Sequence, residues 1–177
     1  MMLKIWLLIL LLIGSVGVIA CTNTKDGMSF MYTEFDSITS LQDLSSHLVA
    51  NGYKWASDGA NLTPWTDFHT KPVITWERKW GNCNDYTALF CEFARYKASK
   101  GIRAADGFHE IYLYKRLANI KYGWHYICVF RVGDKFFEQS NLSVREVSGW
   151  AESIAYWGNT MGYDKQRVIR TWEADPQ

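Results

Sequence analysis

Gly81-Asn82-Cys83 is the stretch that most restricts what this chain can fold into. A tight, glycine-containing turn there runs straight into an amphipathic segment. From Cys83 on, Tyr86, Leu89, Phe90, Phe93 and Ala94 repeat at three and four residues, the spacing of a helix with one buried face, and Gly101 closes it. A thiol on the first turn of a helix meets backbone N–H groups and the positive end of the helix dipole. Both favour thiolate over thiol, and the thiolate is the nucleophile. A buried cysteine elsewhere would read as a small apolar residue; its place after Gly-Asn assigns Cys83 to chemistry.

The chain before that turn begins with a targeting segment. Ile5 to Ile13 is an unbroken apolar run after a short basic start, and Gly14 to Gly17 loosen it. Residues 1–20 therefore read as an export signal or membrane anchor. Val18-Ile19-Ala20-Cys21 resembles a bacterial lipobox, with Ile19 bulkier than usual, which implies lipidation of Cys21. The alternative is an uncleaved anchor from Leu3 to Ala20. Either one tethers the protein to a membrane, facing outside the cytoplasm. Residues 21–33 are expected to be a polar tether and residues 34–177 one domain, long enough for a single core.

The net charge of +1 and the lack of a basic stripe give no nucleic-acid signal. Nine tryptophans within an aromatic content of 16% suit a core or a lined groove, including a carbohydrate or cell-wall binding groove, and composition does not choose between them.

Ile38, Leu41, Leu44 and Leu48 predict a second helix ended by Gly52. Asp58-Gly59, Thr63-Pro64 and Lys71-Pro72 predict a loop-rich approach from Tyr53 to Trp80, pinned by Trp55, Trp65, Trp76 and Trp80. His69 in that approach and His109 further on read as solvated or packing histidines. After Gly101 the pattern turns to strands: Ile102–Ala105, Glu110–Tyr114, then Gly123–Arg131, the strongest in the chain. Val132-Gly133-Asp134 predicts a hairpin back along Lys135–Asn141. A short helix through Trp150, Ile154 and Trp157 is expected to stop at Gly158, and a last strand to run from Gln166 to Trp172.

A three-residue hairpin loop pairs Arg131 with Lys135 and therefore His125 with Asn141. His125, Ile127, Val129, Phe137, Gln139 and Asn141 then share a face. A two-residue loop instead shifts the pairing by one and puts Leu142 opposite His125. The first register is adopted because it gives His125 a polar partner. Cys83 as nucleophile, His125 as base and Asn141 as the group that fixes the imidazole then make a catalytic triad. The backbone N–H of Cys83 and the indole N–H of Trp80 are candidate oxyanion donors.

Gly81-Asn82-Cys83-Asn84-Asp85 opening a helix, Gly123-Trp124-His125 opening a strand and the polar end of the next strand resemble the transglutaminase-like cysteine hydrolases of bacteria and phages. The likeness spans about residues 50–145. It implies an α+β, transglutaminase-like or papain-like fold, with the nucleophile helix packed on an antiparallel sheet. It also implies Cys83, His125 and Asn141 in the roles given above. Asn82 stands where the family has Asp, and Asn141 stands where Asp is commoner. Asp85 matches the family's acidic residue and is read as a helix cap.

The expected activity is a thiol hydrolase cleaving amide or peptide bonds, cell-wall peptide included, through an acyl-enzyme on Cys83. Transfer to an amine by the same triad and a non-catalytic binding module are the alternatives. No cofactor or metal is implied: His125 and Cys128 fall on opposite faces of a strand, which disfavours a zinc site. Cys91 and Cys128 read equally well as a disulfide or as two buried thiols.

Overall fold

The protein was analysed as a computed structural model that describes residues 24–56, 70–116 and 122–174. It is an α+β structure: helices α1 (Thr24–Ser37), α2 (Leu41–Ala50), α3 (Pro72–Arg78) and α4 (Cys83–Ser99) precede most of the strands. Strands β3 (Gly107–Arg116), β4 (Tyr122–Val132), β5 (Lys135–Ser140), β6 (Ser143–Val147) and β7 (Lys165–Glu173) follow, with helix α5 (Trp150–Met161) between the last two. They form one antiparallel sheet in the order β6-β5-β4-β3-β7. Two short strands, β1 (Lys54–Trp55) and β2 (Trp80–Gly81), pair in parallel beside the start of α4.

Each face of the sheet has its own core. Phe108, Cys128 and Phe130 pack with α1 to α4 on one face. Ile111, Leu113, Ile127, Val129 and Val147 pack with Ile154, Trp157 and Tyr163 on the other. Alternation along β4 therefore sends its even-numbered residues toward α4 and its odd-numbered ones toward α5.

The α2 stripe of Leu41, Leu44 and Leu48 is buried as the periodicity predicts, Ile38 is buried just before the helix, and the Ser40 side chain caps it by accepting from the Asp43 amide at 3.0 Å. Other expectations are corrected. The stretch read as a tether over 21–33 belongs to α1 from Thr24 on, and Met31 and Phe35 are core residues. Phe35 meets Trp76 and Phe93 edge-on, each at 5.1 Å, so one aromatic cluster docks this helix despite its polar composition. The approach to Cys83 holds a helix, α3, which Pro72 opens at its first turn. Of its four tryptophans, Trp76 is buried, Trp55 and Trp80 are exposed, and Trp65 lies outside the described residues.

Ile102–Ala105 is not a strand, since Ala104 and Ala105 instead bury in the connection to β3. Helix α5 continues through Gly158 and ends at Gly162, whose φ of 70° is the left-handed cap.

The β4–β5 register is the correction with most consequence. Val132 pairs with Lys135 and Cys128 with Gln139 across a two-residue Gly133-Asp134 turn. Gly133 has φ 58°, while no positive φ is found at Asp134, the pattern of a II′ turn that matches strand twist. The Asp106 carboxylate accepts the Gly133 N–H at 2.6 Å and pins that turn. The preferred three-residue loop is thus replaced by the shorter alternative. Glu138 and Ser140 join the face of His125, and Gln139 moves to the other.

Candidate active site

The start of α4 is built as a capping box. The Asn82 side chain accepts from the amides of Asn84 at 3.1 Å and Asp85 at 3.2 Å, while Asp85 Oδ2 accepts from the Asn82 amide at 3.1 Å. Two amides that a thiolate would otherwise meet are therefore already satisfied. Asp85 is fully buried, pairs with Arg78 and accepts the Thr70 amide at 3.1 Å, so its role is to join the turn, α3 and the approach segment. Gly81 is required there: a Cβ would lie 2.9 Å from Asp85 Cβ. Cys83 follows at the first helical position and is buried.

His125 lies near the start of β4, 8% exposed, on the face covered by α5. Its Nε2 is 2.9 Å from Ser140 Oγ. Trp157 packs against the ring at 4.5 Å and Tyr163 stacks at 6.5 Å. Burial pushes the imidazole down to about 4, against the opposing charge of Glu138. His125 is therefore neutral at pH 7. Glu138, itself buried, accepts from Arg145 Nη2 at 2.8 Å, Arg145 Nε at 3.1 Å and the Trp157 indole at 3.1 Å.

Cys83 begins the helix on one face of β4 and His125 lies on the other, and Tyr163 is a neighbour of both. Pairing with β5 stops at Cys128–Gln139, so β5 does not cover the first half of β4. The Thr87 hydroxyl, one turn past Cys83, sits 2.8 Å from the Cys83 carbonyl and 3.1 Å from Gln139 Oε1. Tyr163 connects the two sides. Its phenol is pushed up by burial first and by the Cys83 thiol second, and its hydroxyl donates to the Trp124 carbonyl at 3.3 Å.

Asn141 is not joined to His125. It occupies the β5–β6 turn with φ 51°, a left-handed conformation that Asn tolerates, and its buried Oδ1 has no hydrogen-bond partner. Its backbone carbonyl accepts from Gln139 Nε2 at 2.6 Å. Gln139, the nearest substitute on the predicted face, points toward α4 instead. Trp80 is exposed with the Arg78 guanidinium 3.9 Å over its ring, a packing role at the mouth of the turn. His109 Nδ1 lies 3.1 Å from Thr171 Oγ1 on β7, and His69 and Cys21 lie outside the described residues.

Ser140, Glu138, Trp157 and Tyr163 are the neighbours of His125 that sequence reasoning missed. The weighed two-residue loop was the signal for the first two, since it alone places them on the histidine's face. No group of three or more metal-ligating side chains is found among the described residues. Compared with protein-family models and with curated proteins, the chain matches none.

Proposed function

We propose that the chain is a transglutaminase-like thiol hydrolase that cleaves amide or peptide bonds through an acyl-enzyme on Cys83. One observation carries the reading: His125 Nε2 is engaged by a side-chain hydroxyl at the end of the next strand, and Tyr163 neighbours both that histidine and the cysteine that begins α4. With Nε2 held by Ser140, Nδ1 is the nitrogen that takes the thiol proton. A neutral imidazole suits that work, because it accepts the proton as Sγ attacks the carbonyl and returns it to the leaving amine. Water, activated by the same nitrogen, then releases the acyl group. Ser140 fills the orienting position that the resemblance assigns to Asn141, and Glu138 supplies the negative charge that a hydroxyl lacks.

The substrate class is a protein or peptide, cell-wall peptide among them, met outside the cytoplasm by a chain held at a membrane through residues 1–20 or a lipid on Cys21. No helix of the described residues is long and apolar enough to cross a membrane.

The test is acylation by an activated ester, p-nitrophenyl acetate, read by mass spectrometry and peptide mapping. The acetyl group should appear on Cys83 and not on Cys91 or Cys128, both fully buried. Cys83→Ala should abolish it and His125→Ala should slow it roughly a hundredfold. Acylation elsewhere, or an unaffected His125→Ala rate, would leave a binding module as the better account.

A further inference from the structure

We propose that Cys91 and Cys128 form a disulfide that staples the helix bearing Cys83 to the strand bearing His125. The two Sγ atoms lie 3.5 Å apart, and both residues are fully buried. Cys91 follows Cys83 by two helical turns along α4, and Cys128 faces it from the middle of β4. The pair is thus placed by the packing of the two elements, with no loop to adjust. A disulfide bond is about 2.05 Å long, so the sulfurs need to approach by only about 1.5 Å.

Other uses of two adjacent thiols fit less well. A metal site wants a third and fourth ligand, and no such group surrounds them among the described residues. A redox-active pair needs a thiol that reaches solvent, whereas neither sulfur does. Burial and the neighbouring thiol push Cys128 well up, so in the docked state it is a poor nucleophile. A bond that forms there is structural, and it forms before α4 closes over β4.

The oxidant is a disulfide donor of the glutathione class or a dithiol oxidoreductase, which an extracytoplasmic compartment supplies. One cysteine thiolate attacks the donor, giving a mixed disulfide and expelling one donor thiolate. The second cysteine thiolate then attacks the protein-bound sulfur and expels the other. Two cysteine thiols are oxidised, the donor disulfide is reduced to two thiols, and the two protons end on the departing sulfurs. The bond does not depend on the catalytic reading; its consequence, a fixed spacing between Cys83 and His125, does.

The experiment uses the full chain, expressed with its leader and extracted in detergent without reductant, with free thiols blocked by iodoacetamide at lysis. After denaturation and digestion, the Cys91 and Cys128 peptides should be linked to each other and resist alkylation until reduced. In Cys91→Ser, Cys128 should alkylate fully in denaturant. Reductant should lower the denaturation midpoint of wild type and leave that of Cys91→Ser/Cys128→Ser unmoved. Complete alkylation of both cysteines in unreduced, denatured wild type overturns the proposal, as does linkage of either one to Cys83 or Cys21. Acetylation of Cys83 is read on the same sample, so loss of the crosslink and loss of activity are separable.

Discussion

Ser140 Oγ lies 2.9 Å from His125 Nε2, although the two residues belong to strands whose ladder has already ended. The contact is made because a two-residue turn sends the even-numbered residues of β5 to the histidine's face. It makes Ser140, not Asn141, the residue that holds the imidazole.

Turnover should follow that assignment. Ser140→Ala should lower the deacylation rate of the acetyl-enzyme roughly tenfold, because an unheld imidazole finds its geometry only part of the time. Asn141→Gly should keep both rate and stability, since glycine adopts φ 51° without strain. Equal losses in the two variants, or none in Ser140→Ala, would sink the assignment.

Acid should destabilise the fold through His125. Its imidazole sits near 4 in the fold and 6.5 in the unfolded chain, so the unfolded state binds the proton first as pH falls. The contribution is fully present above pH 6.5 and is lost between 6.5 and 4, with a ceiling on the order of 3 kcal/mol. Urea midpoints measured across that window should fall less steeply in His125→Phe than in wild type. Parallel curves would contradict the buried, neutral imidazole.

Trp157 keeps that imidazole dry. Trp157→Ala removes the ring packed at 4.5 Å and one donor to Glu138. The His125 titration, followed by NMR of the ring protons, should move up toward its ordinary value. Glu138 remains paired with Arg145, so the fold should survive. A titration that does not move would mean that other groups exclude water.

Asp85→Ala should cost roughly 3 kcal/mol in unfolding free energy, because Arg78 and two backbone amides lose one buried acceptor together. Chemical denaturation measures this directly. A loss within a few tenths of a kcal/mol would mean that the carboxylate is not the joint of the turn.

Phe35→Ala should cost about 3–5 kcal/mol, the range for emptying a buried aromatic site. A loose tether over the same residues would leave stability unchanged.

The helices with a regular apolar stripe were legible before any coordinates, as α2 and α4 illustrate. The placement of Cys83 and Asp85 at a helix start and of His125 near a strand start was also legible, because such a position is a local property. The partner of His125 was not, since it depends on one residue of hairpin length. Preferring the register that gave histidine an amide chose the wrong strand parity, and the physical preference of Gly133 for a II′ turn decided otherwise. Helix α1 was hidden for a different reason. Its mean polarity is that of a linker, and Met31 and Phe35, four apart, are the residues of it that bury fully in the core.

The docking of α1 has a consequence for reach. If a lipid sits on Cys21, only Thr22 and Asn23 separate it from a helix already built into the domain. At about 3.5 Å per extended residue, that span is on the order of 10 Å. The domain would then ride against the bilayer and could not swing out from it. Its substrates would be those that come within about one protein diameter of the lipid headgroups.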